Sequence, residues 1–312
     1  MVRLMFEEVR KNNLKSKIVF FSFIVFSLIL FFIASLIIGI VTYNGAIFNN
    51  YFQITFILLN IIAITYLTFF FKKGDKMMLG ITGAVLADRK TYPHLYHITE
   101  SLAIAAGMKI APKCYVINDS ALNAFATGFK PEKSYIVVTT GLIDKLNRQE
   151  LEGVIAHEMS HIQNQDIKLM LYVAGLIGVF TLIGNLCYYM VIGNPRRRNS
   201  RDSDKMTLVY LALWILFSII GVFFATIFKF SLSRKREYLA DANGALLTRY
   251  PPGLANALKK ISEDPDPLVD KANKATAPLF ISSPFRKKIL GLNRIFSTHP
   301  PIEERIKRLE EM

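Results

Sequence analysis

Cysteine is nearly absent from this chain of 312 residues: only Cys114 and Cys187 occur, far apart and in unlike surroundings. No disulfide framework can be drawn from two such residues, no zinc-knuckle spacing exists, and the scarcity fits a reducing, cytosolic face. Acidic residues are also short, 24 against 38 Lys and Arg, which leaves a formal net charge of +14. In a soluble protein that excess suggests nucleic acid, yet no nucleic-acid fold signature is present. Many of the basic residues instead flank apolar runs, where anionic lipid headgroups account for them. The expected partner is therefore a lipid bilayer, with no nucleic acid. Internal repeats are missing as well.

Charge is missing altogether from several long stretches. Residues 18–41 form an uncharged apolar run of 24 residues, long enough to cross a hydrocarbon core and too long for a typical signal-peptide core. A second run, 52–71, follows a linker, 42–51, that carries no charge either, so the two read as a transmembrane hairpin. Two further runs, 169–193 and 206–228, flank the basic stretch 195–205, which gives up to four transmembrane helices. Arg3, Arg10, Lys11, Lys15 and Lys17 precede the first run, and Lys72, Lys73 and Lys76 follow the second, which places both ends of that hairpin in the cytoplasm. Arg196, Arg197, Arg198, Arg201 and Lys205 fall in a loop that four full crossings would put outside. Either the first pair dominates topology or the second pair is embedded without crossing completely.

What the chain does contain is His157-Glu158-Met159-Ser160-His161. Histidines four apart stack on one face of a helix, where two imidazole nitrogens can reach one metal ion. Glu158, beside the first, suits a general base that takes a proton from water activated by the metal. Asn147 with Glu150 forms a capping-box pattern, and Leu151, Val154, Ile155 and Ile162 recur at helical spacing, so a helix with a buried stripe is expected here.

A catalytic zinc keeps three protein ligands and one open position, so a third ligand is required. The candidate is Glu237, just past the fourth apolar run, with Asp241 one helical turn on to accept a hydrogen bond from the non-ligating nitrogen of a zinc histidine. Read alone, that segment is equally an exposed charged helix. The intervening apolar pair returns its ends to one side, which brings Glu237 back toward His161 close above the bilayer.

HEMSHIQNQD, SRKREYLADA and FSTHPPIEERIKRL, in that order, together resemble the HtpX-like family of membrane zinc metalloproteases. The segments Asn123-Ala124-Phe125-Ala126-Thr127-Gly128 and Thr139-Thr140-Gly141-Leu142 fit as well, and the resemblance runs from the first hairpin nearly to the C-terminus. It implies a gluzincin-like fold holding one Zn2+ per chain, with His157, His161 and Glu237 as ligands and Glu158 as base. It directs attention to His299, whose imidazole could hydrogen-bond a developing oxyanion or orient a neighbouring group, the alternative being a solvent-facing residue before a terminal helix. It also makes Asn123, Ala124, Phe125 and Ala126 the sheet edge beside the cleft, where an extended substrate would add as a strand. An ordinary strand-to-turn connection is the plainer reading of that segment.

The expected fold is α+β, mostly helical: an integral membrane protein with a metalloprotease domain that contains a small β-sheet. Strands are expected at 114–118 and 134–140, and helices at 91–107, 251–262 and 302–311. His94 and His97 are read as surface or packing residues. The expected organisation is a cytoplasmic N-terminal segment 1–17, a hairpin 18–71, a first catalytic part 72–168, a second hairpin 169–228 and a second catalytic part 229–312. The resemblance implies cleavage of misfolded or damaged membrane proteins in quality control and stress response, at a multi-pass plasma-membrane enzyme with its active site on the cytoplasmic side. The alternatives are processing of prenylated CaaX proteins, and a receptor or scaffold stabilised by zinc. Against the last, a structural site needs no general base. Oligomeric state is not legible.

Overall fold

The computed structural model describes residues 2–42, 49–192, 201–231, 234–264, 281 and 300–312. Its helices are α1 (Val2–Thr42), α2 (Asn50–Ile81), α3 (Pro93–Ala105), α4 (Thr140–Lys145), α5 (Arg148–Gln163), α6 (Asp166–Ile192), α7 (Arg201–Ser231), α8 (Arg234–Thr248), α9 (Pro251–Glu263) and α10 (Ile302–Glu310). The strands are β1 (Val85–Leu86), β2 (Lys113–Ile117), β3 (Ala124–Lys130) and β4 (Lys133–Thr139). The chain is thus α+β and mostly helical. Two compact units result, one of Met1–Leu14, Asp75–Leu171 and Lys229–Met312, the other of Lys15–Gly74 and Tyr172–Phe228.

The second unit is built from the apolar runs. Phe20–Thr42 in α1, Asn50–Ile81 and Asp166–Ile192 are long and apolar enough to cross a membrane, while Lys205–Gly221 in α7 is a shorter apolar helix. The fourth run read from the sequence therefore gives no full-length candidate span among the described residues. Side chains at 222 and 224–231 lie outside that description, although α7 itself continues to Ser231. Phe23, Phe31, Phe180 and Phe217 centre this unit's core, with Phe23 and Phe180 rings 4.9 Å apart. Gly178 lets α6 meet α2, since a Cβ there would collide with the Tyr66 hydroxyl. The buried Ser35 hydroxyl donates to the Phe31 carbonyl at 2.7 Å, so it costs little in an apolar interior. Ile54, Ile57, Ile61 and Ile64 recur on one face of α2 and are each more than half exposed, a surface that suits lipid rather than water.

The first unit holds a mixed sheet in the order β1-β2-β4-β3. β1 is antiparallel to β2, β2 parallel to β4, and β3 antiparallel to β4, so β3 is an edge strand. The two strands read from the sequence correspond to β2 and β4. The Asn123–Gly128 segment supplies β3 rather than a plain connection, and β1, only two residues long, gave no pattern to read.

Helix α5 is the centre of this unit, packing on α3, α8, α9 and β3. Its start is fixed by the capping box: the Asn147 Oδ1 accepts the Glu150 N–H at 2.9 Å, and a Glu150 carboxylate oxygen accepts the Asn147 N–H at 2.8 Å. Lys260 of α9 reaches the same Glu150 carboxylate at 2.7 Å, and the Gln163 side chain donates to the Ala106 carbonyl just past α3 at 2.6 Å. From Leu151 to Ile162 all but Glu152 are buried. A Cβ on Gly244 would approach the His157 backbone nitrogen to 3.1 Å, so α8 packs closely against α5 where the first histidine sits. Behind that crossing the Ser160 hydroxyl receives Asn243 Nδ2 of α8 at 3.1 Å.

Asn147→Ala removes the side-chain acceptor that starts α5 and leaves the Glu150 N–H without it, while the backbone N–H at 147 still donates to the Glu150 carboxylate. A loss of about 1 kcal/mol is expected, read as a lowered melting temperature of the detergent-solubilised protein. An unchanged melting temperature would contradict this role for the cap.

Candidate metal centre and active site

His157 and His161 stand one turn apart on α5 with their rings edge to face, centroids 4.7 Å apart. Their Nε2 atoms are 3.2 Å from each other. Glu237, in the first turn of α8, brings Oε2 to 3.9 Å from His157 Nε2 and Oε1 to 3.6 Å from His161 Nε2. One donor atom from each of the three residues falls within 4.8 Å of the others. A tetrahedral zinc with bonds of about 2.0–2.1 Å places its ligand atoms roughly 3.3 Å apart. Two imidazoles and a carboxylate at these separations fit such an ion.

The far side of each imidazole is held. His157 Nδ1 lies 3.0 Å from Asp241 Oδ1, and His161 Nδ1 lies 3.1 Å from Asp166 Oδ2. A carboxylate on Nδ1 fixes the ring and leaves the Nε2 lone pair for a metal. Asp241 is itself held by Arg305 of α10, whose Nε and Nη2 donate to its two oxygens at 2.9 and 2.7 Å. Arg305 is 1% exposed, and its Nη1 is also 3.7 Å from Glu237. Nη2 lies 3.4–3.5 Å from the His157 ring nitrogens, too long to compete with its two carboxylate bonds. Arg236 comes within 3.4 Å of Asp166. Glu158 is buried and lines the same cleft as His157, His161 and Glu237, together with Ala126, Ile167, Met170 and Ile281.

Burial pulls the His157 imidazole down to about 4, only partly offset by its bond to Asp241. Burial also disfavours charge on His161. There it is outweighed by the Asp166 hydrogen bond and by the charges of Glu237, Asp166 and Glu158, which raise it to about 9. For Asp241 burial works upward, but the Arg305 charge and hydrogen bonds from His157 and Arg305 hold it at about 2. The metal-free site at neutral pH therefore carries a proton on His161 and none to spare on His157.

Ala124 to Ala126 open the edge strand and Asn123 immediately precedes it, all four buried. His299 lies outside the described residues. His94 and His97, on α3, are not members of the one metal-capable cluster found among the described residues. Sequence reasoning did not single out Asp166, Arg236 or Arg305. The signal for Arg305 was present in the amphipathic spacing of the last helix, where Arg305 and Leu309 share the buried face.

A model of peptidase family M48 matches residues 89–312. Among curated proteins, the protease HtpX homolog of Dictyoglomus thermophilum is 40% identical over 314 residues, covering 98% of this chain and 94% of that protein. The protease HtpX homolog of Caldanaerobacter subterraneus subsp. tengcongensis is 43% identical over 309 residues, covering 98% and 96%. The crystal structure of S. mikatae Ste24p is a distant likeness, with a TM-score of 0.44 at 19% identity, covering 83% of this chain and 64% of that one.

A divalent ion seated on these donors must displace the His161 proton. Uptake at pH 7 is expected to release about one proton per ion, and apparent affinity to fall about tenfold per pH unit below about 9. Calorimetry in buffers of different ionisation heat reads this directly, and a heat independent of buffer would contradict it. Asp241→Asn, which removes the acceptor charge behind His157, is expected to weaken metal binding about 10- to 100-fold. Retained affinity in a chelator competition would argue against that contact.

Proposed function

The chain belongs to peptidase family M48, and from that membership we propose a membrane-integrated zinc endopeptidase that cleaves misfolded or damaged membrane proteins, with His157, His161 and Glu237 holding one Zn2+. The observation that carries the site assignment is the convergence of the three donors within 4.8 Å, with a carboxylate behind each imidazole. That donor set leaves a fourth position open, as a catalytic site requires and a closed structural site does not.

When bound, zinc polarises a carbonyl oxygen and lowers the pKa of water toward neutrality. The remaining work falls to the chain's own residues. Glu158 is the general base, taking a proton and passing it to the departing amine. Asp241 and Asp166 orient the two imidazoles, and Arg305 keeps Asp241 ionised and aimed. The edge strand, with Ala124 and Ala126 turned outward, receives an extended substrate through backbone hydrogen bonds, which accept many sequences and so suit unfolded polypeptide. His299 completes the proposal as a partner for the developing oxyanion. Lysines 72, 73 and 76 after the second apolar run support an active site on the cytoplasmic side of the membrane, which the proposal takes to be the plasma membrane.

Glu158→Gln is nearly isosteric and leaves the three proposed ligands in place, so zinc content should stay near one per chain. Cleavage of an unfolded model protein should fall about 10²- to 10⁴-fold. Undiminished, chelator-sensitive cleavage with zinc retained would remove Glu158 from this role. Selective cleavage of a farnesylated CaaX peptide over the unfolded protein would replace the quality-control reading with prenyl-protein processing.

A further inference from the structure

The edge of β3 is already partly taken by the chain itself. Asn123 turns its carbonyl toward β4, where it accepts the Thr139 N–H at 3.1 Å. Strand alternation then turns the next carbonyl, that of Ala124, outward. This outward carbonyl accepts the N–H of Ile281 at 2.9 Å. Ile281 is 2% exposed, and it lines the cleft with Ala126, His157, Glu158, His161, Ile167, Met170 and Glu237. A single residue thus combines a backbone bond to the sheet edge with an aliphatic side chain beside the metal-capable donors. Those are the two contacts that a peptide adding to this edge would make.

We propose that Ile281 is a built-in occupant of the substrate position: it holds the β3 edge and an aliphatic subsite that a substrate residue must take over. The proposal rests on the peptidase reading only in treating this cleft as the substrate cleft. Two consequences follow from competition for one place. The subsite prefers a bulky aliphatic side chain in the substrate, and apparent affinity is lowered by the fraction of time Ile281 is in place.

The test uses the full-length, zinc-loaded protein in detergent, in the Glu158→Gln background, so that binding of a fluorescent extended peptide with a central isoleucine is read by anisotropy without turnover. Ile281→Ala, which empties the subsite, and Ile281→Pro, which removes the N–H donor, are each expected to tighten Kd about 3- to 10-fold. Ile281→Val should stay close to the parent. A Kd unchanged or weakened in both Ala and Pro variants would make Ile281 a wall of the cleft and overturn the proposal. With Ile281 unsubstituted in the same Glu158→Gln background, a peptide with central aspartate should bind at least about tenfold more weakly than the isoleucine peptide, and equal binding would overturn the aliphatic subsite. Failure of the peptidase reading would show separately, as no chelator-sensitive cleavage by protein that retains Glu158.

Discussion

Buried charge governs the catalytic unit. Glu158, Asp166, Glu237 and Asp241 are each 3% exposed or less, packed around two buried histidines. Carboxylates in such a place are tolerable only when opposite charge is held against them. Arg305 does this for Asp241 with two short parallel bonds and for Glu237 at longer range. His161 gains its proton for the same reason, as the nearest group that can answer three carboxylates. A divalent ion would replace that proton with two positive charges, so the metal proposed for the site is also the missing part of its electrostatic balance.

This constraint explains why distant segments meet. The histidines lie on α5, the third donor on α8 and the guanidinium on α10, near the end of the chain. Gly244 allows α8 to lie against α5 at His157, and α10 packs on both α8 and α9. Removing one partner of a buried, doubly bonded ion pair costs about 3–5 kcal/mol. The last helix is thereby tied to the position of His157, although it contributes no donor to the metal-capable cluster.

The parts of this arrangement that were legible in the sequence depend on local spacing. His157 and His161 are one helical turn apart, and the capping box before them and the long uncharged runs are equally local patterns. Glu237 was reachable because three ligands were needed and a charged helix followed the fourth run. Arg305 was not singled out: it shares the helical spacing of Leu309, but an arginine in a short helix of three acidic and three basic residues reads as solvent-facing until its partner is seen, and Asp241 is 64 positions away. Asp166 follows Gln165, whose backbone is left-handed with φ 56°, a turn that no residue type there announced. The edge position of β3 depends on a parallel β2–β4 pairing, a long-range choice that strand propensity does not reveal. The short β1 and the bond from Ile281 to Ala124 are of the same non-local kind.

The central claim is that α5 and α8 together bind one zinc ion through two imidazoles and one carboxylate. Zinc K-edge X-ray absorption of the purified, zinc-loaded protein tests it most directly. The account predicts a first shell of nitrogen and oxygen only, at about 2.0–2.1 Å, with imidazole scattering from two rings. A sulfur shell at about 2.3 Å, or scattering from fewer than two imidazole rings, would contradict it.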